Sequence, residues 1–360
     1  MTMRSPPPRN REGPPNGALA EALFALSETE PPGDRRVALL RAGSAAFDTP
    51  GQGGRAALED SPRWLKPLVS QLAACPGEGA LEAAVQRLSN NGTPRRRGNR
   101  ERFLCRSEVP EILTSGDDEL LPQRIRGTFH WHTNDSDGKA SLEAMARACL
   151  RRGAAWAVVT DHSRGLDIAS GLDREGVRLQ RRRVEAWNGN NGDEMRLLQG
   201  LEVEVLEDGT VDVPPGERLE VDCIVAAVHR QFDPDRDQTE RLLRAIATPG
   251  VHALAHPRGR HFHHRPGLRA RWELVFSACS DHGVAVEING FRRRQDLDWE
   301  LARLACESGC DFVLASDAHA VRHLDFDAYA SAIAMKAGIP RARILNAGHA
   351  DEFEAWLADR

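Results

Sequence analysis

His130 and His132 stand two residues apart in GTFHWHTNDSDG, residues 127–138, and Asp137 follows on the next loop. On a strand, residues i and i+2 point to one face. Two imidazoles side by side make a metal chelate, and Asp137 adds a hard oxygen donor. Side chains of the same chemistry recur along the chain. They are Thr160-Asp161-His162, Glu202 and Glu204 in GLEVEVLEDG, His229, His256-Pro257, Glu287-Ile288-Asn289 and Ser316-Asp317-Ala318-His319. All 13 histidines lie at or after position 130, so imidazole chemistry belongs to that part of the chain.

Each donor sits at or near the C-terminal end of a short apolar run. The runs are Gly127–Trp131, Trp156–Thr160, Leu197–Val203, Cys223–Val228, Val251–Ala255, Val284–Ile288 and Phe312–Ala315. Helical patterns lie between them, at Ser141–Arg152, Arg174–Trp187, Arg236–Ala247, Arg269–His282 and Asp298–Ser308. Continuous apolar strands alternating with helices imply a parallel sheet buried on both faces. Seven such units suit a closed barrel, in which the strand C-termini converge on one face. One histidine after a strand is an ordinary cap or a solvated residue. Donors at seven strand ends out of seven are not explained by packing. A nitrogen and oxygen donor set without cysteine suits zinc, manganese or iron. The donors outnumber what one ion can use, so two or three divalent ions are expected. Several ions sharing a carboxylate suit phosphoester hydrolysis. No Ser-His-Asp order, P-loop or G-x-G-x-x-G motif offers a rival chemistry.

The chain of 360 residues has room for such a barrel and a smaller unit. Its net charge of −5 gives no global nucleic-acid signal. No apolar run reaches the roughly 18 residues of a membrane span. Residues 1–17 lack an apolar signal core and read as a disordered tail. Seven cysteines, an odd number without a C-x-x-C pair, point to reduced thiols and a cytoplasmic location. Residues 18–88 read as a small all-helical module. Leu19, Leu23, Phe24 and Leu26 begin it, a Pro-Pro-Gly-Asp turn divides it, and Trp64, Leu65, Leu68 and Leu72 share a later face. Residues 89–123, opening with SNNGTPRRRGNRER, read as a linker with solvated arginines, and 124–360 as the barrel. Arg181–Arg183 read as a solvated helix face, and the RHFHHRP run at 260–266 as a loop cluster.

In chain order, H-x-H, S-D-G, T-D-H, G-x-E, V-H, H-P and D-A-H resemble the PHP (polymerase and histidinol phosphatase) superfamily. GLEVEVLEDGTVD, AAVHRQF, DQTERLLRAI, ALAHPRGR, VAVEINGFRRRQDLD and SDAH most resemble the C-terminal PHP domain of bacterial and archaeal family X DNA polymerases. The likeness runs over residues 124–358. It implies an α/β fold, a distorted seven-stranded (β/α)7 TIM-like barrel, with a trinuclear metal site. By that resemblance His130, His132, Glu202 and Asp317 hold a first ion. Glu202 bridges to a second ion, held also by His229 and His256. Asp137, His162 and His319 hold a third. Glu202, Asp317 and His229 are the expected catalytic residues. Arg294 is the expected phosphate clamp, with Arg258 and Arg230 as further substrate contacts. The implied reaction is attack of a metal-activated hydroxide on phosphorus. The implied substrate is a DNA 3′ end, in 3′→5′ exonuclease or 3′-end processing. A small phosphomonoesterase of the histidinol phosphatase kind and a non-catalytic DNA-repair adaptor are the alternatives.

The sequence departs from the family at four positions. Thr128 replaces an aspartate common before H-x-H, Glu204 replaces an aspartate, and Arg230-Gln231 stand where Ser-Arg is usual. All four are expected around the ligands. Residues 18–75 faintly resemble the helical DNA-binding module that opens family X polymerases. The interval before the barrel leaves no room for a polymerase palm, and the hairpin glycines of such a module are missing. No polymerase activity is expected. The oligomeric state is not legible in the sequence.

Overall fold

The computed structural model describes residues 16–49, 51, 54–89, 100–165, 170–218, 220–233 and 235–359. The expected tail up to residue 15 and residues 90–99 of the expected linker lie outside them. The chain divides into two compact units, Met1–Glu111 and Ile112–Arg360.

The first unit is helical. It contains α1 (Asn16–Thr29), α2 (Asp34–Phe47), α3 (Arg55–Glu59), α4 (Lys66–Ala73) and α5 (Glu78–Leu88); α6 (Glu108–Ser115) spans the division between the units. Leu19, Leu23 and Phe24 of α1 and Leu39 of α2 are fully buried. Leu65, Val69 and Leu72 form the buried stripe of the later pair. Trp64 is 53% exposed and does not share that face. It precedes the first turn of α4, so helical spacing does not fix its direction. Arg100 is not solvated as its linker context implied. Its guanidinium is buried, pairs with Glu21 and Glu28, and lies 5.3 Å over the Phe24 ring. A buried charge of this kind is held only when paired.

The second unit is a closed barrel of seven parallel strands in sequence order. The strands are β1 (Gly127–Trp131), β2 (Trp156–Val159), β3 (Arg196–Glu204), β4 (Cys223–Ala227), β5 (Ala253–Leu254), β6 (Ala285–Asn289) and β7 (Phe312–Ala318). Between them run α7 (Leu142–Arg151), α8 (Arg174–Asn191), the one-turn α9 (Pro215–Arg218), α10 (Thr239–Ile246), α11 (Trp272–Asp281) and α12 (Trp299–Glu307). Ser141, Asp173 and Asp298 cap α7, α8 and α12 through their side-chain oxygens. Two helices lie beyond the last strand, α13 (Asp327–Ala337) and α14 (Ala350–Ala358).

Two apolar layers hold the barrel. Phe129, Trp156, Val158, Leu198, Val225, Ala253, Ala285 and Val313 fill its interior together with Phe353 and Leu357 of α14. Phe353 stacks on Trp156 at 4.2 Å and meets Phe129 edge-on at 6.1 Å. Trp156 is the first residue of β2, so α14 closes the end where strands begin. A Cβ on Gly127 would come within 2.3 Å of the Trp156 indole, which explains glycine there. Outside, Trp131, Ala157, Val159 and Leu197 pack against Leu142, Met145, Val184 and Trp187 of α7 and α8. No helix of the described residues is long and apolar enough to cross a membrane.

Candidate metal centre

The remaining end of the barrel carries the donors. Glu202, near the end of the long β3, stands among five imidazoles. Its Oε2 lies 3.0 Å from His162 Nδ1, 3.3 Å from His130 Nε2 and 3.5 Å from His132 Nε2. Its Oε1 lies 2.9 Å from His256 Nε2 and 3.3 Å from His229 Nε2. Asp317 Oδ1 is 3.2 Å from His132 Nε2, and Asp137 Oδ2 is 3.2 Å from His319 Nε2 and 3.6 Å from His162 Nε2. All nine residues expected as metal ligands therefore meet in one place. Three sets have donor atoms close enough to share an ion: His132, Asp137, His162 and His319; His130, His132 and Glu202; His162, Glu202 and His229. His132 and His162 each stand in two sets, which the three-way division by resemblance did not anticipate.

The buried polar atoms fit bound cations. His130 Nε2, both ring nitrogens of His132, His229 Nε2 and Glu202 Oε2 find no hydrogen-bond partner among the described residues. Leaving a buried polar atom unsatisfied costs about 1–3 kcal/mol. Imidazole nitrogens aimed at carboxylate oxygens without hydrogen-bond geometry are what a divalent ion between them would satisfy. The donor chemistry suits such ions.

Other carboxylates orient these imidazoles. Glu287 Oε1 lies 2.6 Å from His130 Nδ1, and its Oε2 accepts the backbone N–H of His256 at 2.5 Å. Glu204 Oε2 lies 2.8 Å from His229 Nδ1, and its Oε1 accepts the Arg230 N–H. The His319 Nδ1 lies 2.9 Å from the Asp317 carbonyl oxygen. In His130, His229 and His319 the Nδ1 is thus engaged and Nε2 is left to the centre, whereas His256 is held through its backbone. Glu204 thus serves the site by holding a histidine. Glu287 was visible in the sequence as a strand-six carboxylate, but its place beside His130, 157 residues away, exists only once the barrel has closed.

The charges are strongly coupled. Burial opposes ionisation of Glu202, yet His162, His130 and His229 hold its carboxyl well below the ordinary range. Burial likewise disfavours the His229 and His319 imidazolium forms. Glu202 and Glu204 outweigh it at His229, Asp137 and Asp317 outweigh it at His319, and both are raised to about 9. Burial, with His319 and His162 beside it, pushes His132 down to about 3. Burial and the Arg294 guanidinium push His256 down to about 3.

Arg294 reaches the centre, its Nε 3.0 Å from Asp317 Oδ2. The Arg258 guanidinium is instead taken up by Asp298 Oδ2 at 2.9 Å and the Pro266 carbonyl at 2.9 Å. It is tied both to the cap of α12 and to its own loop, a commitment that spacing from His256 could not reveal. Arg230 touches the site through its backbone N–H to Glu204. Thr128 does not lie around the ligands. It hydrogen-bonds Cys149 of α7, whose thiol burial raises to about 12, and so sits in the outer layer. Arg183 is not a solvated charge, since both Asp135 oxygens accept from its Nη1 at 2.8 Å. Neither Asp135 nor the neighbouring Gln180 had been singled out in the sequence, because no local pattern joins a helix face to a loop some 45 residues away.

No protein-family model matches the chain. It is 32% identical over 258 residues to the DNA polymerase/3′-5′ exonuclease PolX of Bacillus subtilis, covering 69% of this chain and 45% of that protein. The chain therefore spans less than half the length of that relative. A protein of Thermoanaerobacter described as a probable phosphatase is 25% identical over 230 residues, 60% of this chain and 88% of its own length. Among solved structures, the histidinol phosphate phosphatase of Lactococcus lactis, complexed with zinc, L-histidinol and phosphate, is similar with a TM-score of 0.43 and 13% identity. That match covers 56% of this chain and 90% of that one. The seven-stranded barrel, the histidine and carboxylate centre and the PolX likeness support the PHP superfamily as the class of this chain, on its family X side.

Proposed function

We propose that this chain is a metal-dependent phosphoester hydrolase acting on DNA 3′ ends. The observation that carries the reading is the convergence of nine nitrogen and oxygen donor residues at one end of the barrel, five imidazoles of them around Glu202, with buried ring nitrogens left unsatisfied. In this reading His130, His132, Glu202 and Asp317 hold one ion, and Glu202, His229 and His256 a second. Asp137, His162 and His319 hold a third. Zinc, manganese and iron suit the donors. Divalent ions bound there lower the pKa of water and neutralise phosphate oxygens. The chain's own contribution is orientation. Glu287 and Glu204 fix the His130 and His229 rings, and Asp317 is gripped by Arg294. The Arg294 Nη1 is buried and finds no hydrogen-bond partner among the described residues. A phosphate oxygen at the centre would accept from it, which makes Arg294 the substrate clamp of the three candidate arginines.

The DNA substrate rests on the likeness to PolX, which is named as an exonuclease. A small phosphomonoester is the second reading, favoured by the Thermoanaerobacter relative, which is matched over most of its length. Purified protein loaded with Mn²⁺ or Zn²⁺ is assayed on single-stranded and recessed 3′ DNA beside histidinol phosphate and p-nitrophenyl phosphate. Shortening of the DNA, lost in Arg294→Met, is the expected result. Turnover confined to phosphomonoesters transfers the assignment to the second reading, and no turnover of any phosphoester by metal-loaded protein refutes both.

A further inference from the structure

Asp137 is the weak point of the donor set. Its side chain is 34% exposed, against 24% for His319 and 7% or less for His162, His132 and Glu202. It stands on a loop, where an unrestrained carboxylate would lose conformational freedom on binding an ion. The loop is nevertheless tied at almost every residue. Asp161, wholly buried at the end of β2, accepts from the Thr133 N–H at 2.8 Å, the Thr133 hydroxyl at 2.6 Å and the Ser136 hydroxyl at 2.5 Å. The Gly138 N–H donates to the Thr133 carbonyl at 2.8 Å, closing the turn around Asp137. A Cβ on Gly138 would approach the His132 carbonyl oxygen to 2.6 Å.

Helix α8 supplies the outer half of this clamp. Gln180, almost completely buried, donates its Nε2 to Asp161 Oδ2 at 2.6 Å and to Asp135 Oδ2 at 3.2 Å. Its own oxygen accepts from Gln199 of β3 at 3.2 Å, which fixes the amide orientation. Arg183, one turn further, grips both Asp135 oxygens and also donates to Glu143 of α7 at 3.1 Å. None of these side chains touches the nine donors. All of them bear on the loop that carries Asp137.

We propose that Gln180 and Arg183 are positioning residues that, through Asp161 and Asp135, set Asp137 and thereby the affinity of the outermost cation position. The proposal rests on the metal reading above and adds to it that one position is controlled from α8. Its rationale is that an exposed donor binds tightly only if its loop is ordered beforehand. Losing a group that orients a ligand weakens metal affinity by roughly 10–100-fold.

The test titrates Mn²⁺ into the full chain and follows free Mn²⁺ by electron paramagnetic resonance. Wild type is compared with Arg183→Met, Arg183→Lys, Gln180→Leu and Asp137→Ala. The expected result is that Arg183→Met and Gln180→Leu weaken one class of site by roughly 10–100-fold and leave the others unchanged. Asp137→Ala should lose that same class, and Arg183→Lys should recover part of the affinity. Arg183 is partly exposed, so its variants keep the fold and carry the test even if Gln180→Leu does not fold. Wild-type binding by Arg183→Met, beside loss of a class in Asp137→Ala, overturns the proposal and leaves the metal reading standing. Wild-type binding by Asp137→Ala overturns both. Uniform weakening of every class in Arg183→Met shows a merely structural role and also overturns the proposal.

Discussion

Glu202→Gln keeps the shape of the central side chain and removes its charge. The consequence can be worked from the geometry. The Glu202 oxygens lie 2.9–3.5 Å from five imidazole nitrogens, so any ion among them sits close to the carboxylate. At such a separation a pair of unit charges interacts by about 5 kcal/mol at an effective dielectric constant near 20. Relief of the penalty for burying a carboxylate offsets part of this. About 3 kcal/mol remains against each ion that shares the residue, roughly two decades in each affinity. The glutamine amide also turns N–H donors toward ring nitrogens that would otherwise face an ion. Two assays on one preparation read the effect: metal content after dialysis, by elemental analysis, and hydrolysis of the DNA and phosphomonoester panel. Metal content should fall by the ions that share Glu202, and turnover should vanish even at millimolar Mn²⁺. A Glu202→Gln protein with full metal content and wild-type turnover would refute the bridging role and the hydrolase reading built on it.

Three further outcomes follow from particular contacts. His229 and His319, raised to about 9 without cations, are protonated at neutral pH, so cation binding must displace their protons. Mn²⁺ affinity should climb as pH rises from neutrality toward about 9, and a flat profile in calorimetry would contradict this. Asp296 is fully buried, and its carboxyl is raised to about 6 by that burial against the pull of Arg260 and Arg258. The folded chain then binds this proton more tightly than the unfolded chain does. Its contribution is present below about pH 4 and lost as pH climbs to about 6, on the order of 3 kcal/mol. Urea midpoints of Asp296→Asn and wild type across that window should converge at low pH and separate above it; a constant difference would count against the buried acid. Phe353→Ala should cost about 3–5 kcal/mol by opening the closed end of the barrel. A loss under about 1 kcal/mol in urea unfolding would mean that α14 does not seal the core.

The strands were legible because each carries a short, largely apolar and buried run, and the donors because each stands at or near the end of such a run. The last helices were not. Seven of the eleven residues of α13 are buried, so it carries no amphipathic stripe to betray it. The partner of α14 is the mouth of the barrel, which exists only once seven strands have closed. Arg100 and Arg183, which read as solvated, and Arg258, which reads as a substrate contact, have partners that the local sequence conceals. Each sits in a polar stretch, and each is tied to acids distant in sequence: Glu21 and Glu28, Asp135, and Asp298. Local composition cannot distinguish a paired guanidinium from a hydrated one. Glu204 was a departure by residue type whose place beside His229 depends on the pairing of β3 with β4.

Thr128 shows why the H-x-H stretch needs more than strand periodicity. With a period of two, Thr128, His130 and His132 would all face inward and Phe129 would face out. Phe129 instead packs in the barrel interior, and Thr128 bonds Cys149 in the outer layer. Phe129 and His130 are thus consecutive residues that both turn to the interior. The backbone permits this because His130 is left-handed, with φ 56°, and the pairing of β1 with β7 shifts register between Phe129 and Trp131. The opposing segment of β7 contains Asp317, also left-handed at φ 49°, and His256 at the end of β5 has φ 27°. Non-glycine residues in such conformations cost on the order of 1–3 kcal/mol each and persist only where the surroundings impose them. All three are candidate ligands. A regular strand sends alternate side chains to the rim, too few for this many donors around one carboxylate. Breaking the period at His130 keeps Phe129 in the core and still delivers both imidazoles to Glu202.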